Sequence, residues 1–249
     1  MLSDRFQKAL SLQDAGKNEE ALREFEAMSN ELSDEYDKSR LPLYEVGCLV
    51  SLGRVSEARQ RWSVAANYSA DWYTDLIDAY LCHEEGKHEE AFDKLTRLLD
   101  DQQGELRKPE NGGYYSEASE RLGYLLFDAK QYGEAASRLT DALKTSDKEE
   151  IKRKISLYLG IAHLETSNLD EAEKRLVQSL PPNYNDPIWA KAQFHLGRLY
   201  FERGAYLTAK EAFEACELLA KETKLKQTAA HWLNATAARL KNPGKQRTN

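Results

Sequence analysis

A small residue recurs at near-regular intervals along most of this chain, early in the second helix of each predicted helical hairpin. The recurring positions are Ala21, Ala58, Ala91, Ala135, Ala172 and Ala209. The intervals between them are 37, 33, 44, 37 and 37 residues. Units of this length are typical of helical solenoids, because one hairpin cannot cover its own apolar faces and must stack on its neighbours.

The pattern is clearest between Leu122 and Ala142. Leu122, Gly123 and Leu126 fall on one face of a predicted helix, since residues three and four apart are neighbours on a helix surface. A polar turn follows, and a second helix repeats the apolar spacing. The small Gly123 and Ala135 predict a close approach of the two helices.

The sixth unit shows the same spacing in full. It contains Leu196, Gly197, Tyr200, Ala209, Phe213 and Cys216. This order resembles the tetratricopeptide-repeat family, whose pattern is Leu-Gly, an apolar or aromatic residue, then Ala, an aromatic or Leu, and a small residue. The fourth and sixth units match well, and the other four match in part. The resemblance covers roughly residues 3–218 and implies an all-α, right-handed α-solenoid of about six hairpins.

Helix-breaking residues predict the joints of this solenoid. Gly16, Gly53, Gly86 and Gly204 are placed between the two helices of their units, and Asn168 is expected to serve that turn in the fifth. The widest interval contains the polar stretch 100–113, which we interpret as a surface loop that includes helix-breaking Asn111, Gly112 and Gly113.

Three segments follow from this spacing. Residues 1–220 are predicted to form the repeat domain, residues 221–241 a capping helix, and residues 242–249 a flexible basic tail. An open stack needs such a cap to cover its last apolar face. From Lys221 onward the chain carries a net charge of +6, against −7 for the whole chain.

Composition excludes several classes of protein. The negative net charge and a pI near 5.4 argue against non-specific nucleic-acid binding. Cys48, Cys82 and Cys216 are widely spaced and are expected to fill the core as reduced thiols. The N-terminal stretch lacks the apolar core of a signal peptide, and no segment is long enough to insert into a membrane. We therefore expect a cytoplasmic protein.

Motifs for catalysis are missing from the sequence. It contains no phosphate-binding glycine loop, no Gly-x-Ser-x-Gly and no Cys-x-x-Cys. Cys82, His83 and His88 are not spaced as zinc ligands, because Gly86 interrupts the helix between the two histidines. We predict no catalytic residue, no metal and no cofactor, and hence a protein that is not an enzyme.

The resemblance implies that the first helix of each hairpin lines a concave groove that binds peptides or helices of other proteins. The residues predicted to line this groove are Tyr73, Tyr80, Arg121, Tyr124, Phe127, Lys154, Tyr158, Lys191, Phe194, His195, Arg198 and Phe201. Aromatic residues and arginine are enriched at protein-binding hot spots. The basic members favour a partner segment with acidic and aromatic residues.

The sequence therefore predicts a scaffold or adaptor that binds a partner protein without catalysis. The alternative is a cytosolic regulator or inhibitor that masks one partner, such as an immunity-type or peptide-sensing protein, and an enzyme is the remote alternative. Self-association through an open end of the solenoid is a further alternative. The loop 100–113 and the basic C-terminal end stay open as competing binding surfaces.

Overall fold

The computed structural model describes residues 2–29, 35–65, 72–101, 104–108, 111–146 and 148–241, and every α-helix and 3-10 helix named below lies within these ranges. The chain divides into two compact units, residues 1–111 and residues 112–249. The first unit contains α1 (Leu2–Asp14), α2 (Asn18–Ser29), α3 (Glu35–Ser51), α4 (Val55–Ala65), α5 (Trp72–Glu84), α6 (His88–Asp100) and a 3-10 helix (Glu105–Arg107).

The second unit contains seven helices within the described ranges. They are α7 (Gly112–Asp128), α8 (Tyr132–Thr145), α9 (Glu149–Glu165), α10 (Leu169–Gln178), α11 (Pro187–Glu202), α12 (Tyr206–Leu219) and α13 (Thr223–Lys241). In both units each odd-numbered helix up to α11 packs against the helix that follows it, which gives six hairpins. The predicted all-α solenoid of stacked hairpins is confirmed within each unit.

The six repeated alanines lie at the centres of these hairpins. Ala21, Ala58, Ala91, Ala135, Ala172 and Ala209 all have an exposed fraction of 0%. A side chain of one methyl group leaves room for the neighbouring helix to pack closely. The repeated alanines of the sequence therefore mark buried positions that recur in every hairpin.

The predicted close approach at Gly123 is confirmed. A Cβ atom added to Gly123 of α7 would lie 2.6 Å from Leu139 Cγ of α8, far inside van der Waals contact. Helix α7 therefore packs so tightly on α8 that only glycine fits at position 123.

The turns inside the hairpins follow one geometry with different residues. Gly16, Gly53, Gly86 and Gly204 have φ between +71° and +76°, as their predicted turn role requires. The prediction for the fifth hairpin is wrong by one residue. Ser167, with φ of +60°, adopts the left-handed conformation, whereas Asn168 has φ of −88° and precedes α10.

The stretch 100–113 is more structured than predicted. Leu106, in the 3-10 helix, is 1% exposed, so the described part of this segment contributes an apolar side chain to the core. Gly112 and Gly113 are the first residues of α7.

Helix α13 packs against α12 and against α11. Ala229 is completely buried, and the Trp232 ring stacks on Phe213 of α12 with centroids 5.7 Å apart. The helix thus covers the last hairpin of the second unit. The expected tail, residues 242–249, lies outside the described residues, and the domain limits stay a prediction.

Candidate functional site

The first helices of the hairpins in the second unit are neighbours in space. Helix α7 contacts α9, α9 contacts α11, and α11 contacts α13. Residues on the same face of successive first helices can therefore form one surface. Ten of the twelve predicted groove residues belong to α7, α9 and α11.

Four aromatic rings pack together on α7, α8 and α9, and we call them the aromatic cluster. The rings of Tyr124 and Tyr158 have centroids 4.5 Å apart, and Phe127 meets Tyr158 edge-on at 5.1 Å. Tyr132 meets Phe127 edge-on at 5.3 Å. Each of the four side chains is partly exposed. Tyr132 was not predicted as a site residue, although it stands five residues after Phe127, at the start of α8.

A charged pair lies beside the aromatic cluster. The Lys154 ammonium is 4.5 Å from the centroid of the Tyr124 ring and 3.4 Å from Glu120 Oε1. The side chain of Glu120 is 12% exposed, whereas that of Lys154 is 50% exposed. The hydroxyl of Tyr124 is buried beside the Glu120 carboxylate. Burial and the neighbouring Glu120 carboxylate raise the pKa of Tyr124, so the phenol stays protonated.

Every predicted basic groove residue is already paired with a carboxylate. Besides Lys154, Arg121 is 3.4 Å from Glu117, Arg198 is 2.8 Å from Glu165, and Lys191 is 3.1 Å from Glu222. The charges on this surface are therefore balanced pair by pair. An acidic partner would have to displace these carboxylates, so the positive residues alone do not favour it.

Helix α11 contributes aromatic residues that mainly serve packing. Phe194 is 8% exposed and lies 5.9 Å from the ring of Phe213. Phe201 contacts Trp232 of α13 edge-on at 5.2 Å. The predicted spacing placed both rings on the right helix, but the cap helix α13 and α12 cover much of their surface.

His195 is a partly buried, neutral histidine near two cations, Arg198 and Lys191. Its Nδ1 atom is buried and has no hydrogen-bond partner. Burial, together with the charges of Arg198 and Lys191, lowers the pKa of His195 to about 3. The imidazole is therefore uncharged at neutral pH and offers no positive charge to a ligand.

The two predicted site residues of the first unit lie in its core. Tyr73 and Tyr80 of α5 are each 4% exposed. The Tyr73 ring packs on Tyr44 of α3 with centroids 5.6 Å apart. The Tyr73 ring thus joins two successive first helices, and neither buried tyrosine has an exposed face for a partner in this conformation.

An acidic cleft of about 440 Å³ lies elsewhere on the first unit, lined by Pro42, Glu45, Glu57, Gln60 and Arg61. Arg61 of α4 forms ion pairs with Glu45 and with Glu26, the latter at 2.6 Å. Burial raises the pKa of Glu45 while Arg61 opposes the rise. The arginine thus compensates a buried carboxylate, which is a structural role.

Within the ranges that the structure describes, no group of three or more His, Cys, Asp or Glu residues is placed to hold a metal ion. The described cysteines are free and buried, as predicted. No helix in the described part of the chain has the length and apolar character needed to cross a bilayer.

Comparison with known proteins agrees with the repeat pattern. Residues 126–196 match the family model described as tetratricopeptide repeat. No curated protein sequence matches the chain. The predicted resemblance to tetratricopeptide-repeat proteins is confirmed.

Solved structures show the same fold across nearly the whole chain. The apo form of RapI aligns with a TM-score of 0.72 and 12% identity, covering 97% of this chain and 72% of RapI. The apo form of the quorum sensor NprR from B. thuringiensis aligns with a TM-score of 0.71 and 12% identity, covering 98% and 72%. NprR in complex with its cognate peptide NprX aligns with a TM-score of 0.66 and 13% identity, covering 98% and 75%. At such identities the likeness concerns the fold alone.

Proposed function

We propose that this chain, a tetratricopeptide-repeat protein, is a non-catalytic protein-interaction module that binds a peptide or helix of a partner on the first helices of its second unit. The aromatic cluster of Tyr124, Phe127, Tyr132 and Tyr158 carries the proposal, because its rings are packed together and yet partly exposed. A cytoplasmic location belongs to the same proposal, since buried free cysteines suit a reducing compartment.

Physical chemistry favours such a cluster as an anchor. Aromatic rings bury a large apolar area, and a partner side chain can pack against their faces and edges. The rings already hold one another in place, so binding costs little ordering of the chain itself. A preformed surface of this kind suits a short segment, which must lose its own conformational freedom on binding.

The structural neighbours support this use of the fold. NprR binds the peptide NprX, and a Rap protein has been seen with the competence and sporulation factor. That the present chain also binds a peptide is part of our proposal. An adaptor and a peptide-sensing regulator would use the same surface and would differ in the number and affinity of their partners.

Selection of random peptides on the immobilised full chain tests the proposal. We expect selected peptides to lose at least about tenfold in affinity for Tyr158→Ala, which removes the ring shared by Tyr124 and Phe127. Tyr158→Leu keeps apolar volume and should also weaken binding, with an unchanged melting temperature as the check on folding.

Tyr184→Ala is the matched control. Tyr184 is 63% exposed in the segment between α10 and α11, where it contacts Trp189 rather than the aromatic cluster. Its replacement should leave peptide binding unchanged. Equal affinities for all of these variants would refute the aromatic cluster as the binding surface.

A further inference from the structure

Lys154 lies next to two groups that both attract cations, a carboxylate and an aromatic ring. Its ammonium group stands between the Glu120 carboxylate, 3.4 Å away, and the face of the Tyr124 ring, 4.5 Å from the centroid. Charge-assisted hydrogen bonds between an ammonium and a carboxylate are usually about 2.7–2.9 Å long. The lysine therefore neutralises the carboxylate without making a short hydrogen bond to it.

The Glu120 carboxylate and the Tyr124 hydroxyl oxygen can both accept further hydrogen bonds. Lys154 provides the single ion pair that Glu120 makes among the described residues, and a carboxylate can accept several donors. The Tyr124 hydroxyl is buried beside the Glu120 carboxylate, to which it can donate, so the lone pairs of its oxygen are the unused acceptor. A buried acceptor left unpaired costs free energy, so a ligand that donates to it gains affinity.

Glu120 differs from the other paired carboxylates of the surface in its burial. Its side chain is 12% exposed, against 29% for Glu165 and 43% for Glu117. If a partner covers the surface and pushes Lys154 aside, Glu120 is the carboxylate that cannot turn to solvent. The partner must then bring a positive charge of its own.

We propose that the Glu120–Tyr124 site accepts the guanidinium group of an arginine in the partner segment, with Lys154 as its placeholder in the free chain. This inference rests on the proposed function and names the chemistry of the partner. A guanidinium is planar, donates through five N–H bonds and stacks on aromatic rings. It can bind both oxygens of Glu120 and either stack on the Tyr124 ring or donate to its hydroxyl, which a single ammonium cannot do.

Lys154 is suited to leave the site. Half of its side chain is exposed, and its ammonium regains full hydration when it swings into solvent. The exchange replaces one cation by another, so the charge balance of the surface is preserved. The expected partner thus carries arginine beside an aromatic or aliphatic anchor, in contrast to the acidic segment expected from the sequence.

A titration of the full chain with N-acetyl-arginine amide, followed by NMR, tests the site independently of any selected peptide. In Lys154→Met, where the placeholder is removed, the amide signals of Glu120 and Tyr124 should shift saturably. Binding should be at least about threefold weaker in the wild-type chain, because Lys154 competes for the site. N-acetyl-citrulline amide, which has the same shape without the charge, should cause no such shifts.

Two further variants sharpen the result. Glu120→Gln combined with Lys154→Met should abolish the arginine-dependent shifts, and Lys152→Met should behave like the wild-type chain. Lys152 lies on the same helix and pairs at 3.0 Å with Glu149, which is 71% exposed, so this variant removes a paired lysine without opening a buried carboxylate. Equal shifts with the citrulline probe, or no shifts in Lys154→Met, would overturn the proposal. Peptide binding that depends on Tyr158 would then still stand, so the two failures are distinguishable.

Discussion

Gly160 of α9 lies against Leu176 of α10 so closely that a Cβ atom on the glycine would stand 2.6 Å from Leu176 Cγ. The same relationship recurs 37 residues earlier between Gly123 and Leu139, and 37 residues later between Gly197 and Phe213. Each of the last three hairpins is therefore closed by one glycine opposite one large apolar side chain.

Replacement of Gly160 by alanine should destabilise the chain. The added methyl group would overlap Leu176, whose own backbone nitrogen lies 3.0 Å from the new Cβ position, so the helices must shift. We expect a loss of about 1–3 kcal/mol in the free energy of unfolding, the usual range for overpacking. Urea denaturation of Gly160→Ala measures it.

Gly133→Ala is the control for this change. A Cβ on Gly133, in the first turn of α8, meets no atom within 4 Å. Because alanine is the better helix former, this variant should match or exceed the wild-type stability. An unaffected Gly160→Ala variant would show that the helices are farther apart than described.

Ser167→Gly should stabilise the chain. Ser167 has φ of +60° at the turn where four other hairpins have glycine, and a left-handed conformation strains a residue with a Cβ. After the entropy that glycine loses on folding, a net gain of about 0.5–1 kcal/mol is expected. Thermal and urea unfolding should both report the increase, and Gly204→Ala should show the opposite change.

His195 should make the chain less stable in mild acid. Its pKa is lowered to about 3 in the folded chain, whereas an unfolded histidine titrates near pH 6.5. The unfolded chain therefore binds a proton first, so this contribution is present above about pH 6.5 and is lost as the pH falls toward 3. Between pH 7 and 5 the loss should be on the order of 1–2 kcal/mol.

Stability measured across this range in His195→Gln isolates the effect. The variant should lose less stability between pH 7 and 5 than the wild-type chain. His231→Gln, a change at an exposed histidine of α13, should keep the wild-type slope. Identical slopes for all three proteins would mean that His195 is accessible to protons in the folded chain.

The core of the fold was readable from the sequence because it repeats. The alanine anchors and the Leu-Gly pairs mark positions where a neighbouring helix leaves no space, and such positions allow few residue types. The same offset would also have identified Ser167, which stands 37 residues before Gly204. Residue type alone points to Asn168, since asparagine favours turns, but the register of the repeat decides the turn residue.

Only part of the candidate site could be predicted from the sequence. Spacing placed Tyr124, Phe127 and Tyr158 on the first helices, and they do meet in one cluster. Spacing could not show that Tyr73 is buried in the core or that Lys154 pairs with Glu120, 34 residues away in sequence. Those facts depend on how neighbouring hairpins pack, and a helical stripe looks the same whether another helix or solvent covers it.

Hydrogen exchange of the full chain, with and without a selected peptide, is the most direct test of peptide binding at the aromatic cluster. If the aromatic cluster binds the peptide, the peptide should slow exchange in α7 and α9 around the cluster, and Tyr158→Ala should remove this protection. Protection confined to α8 and α10, to residues 104–108 or to α13 would contradict it. The partner surface would then lie on the second helices, on the 3-10 helix segment of the first unit or at the basic C-terminal end.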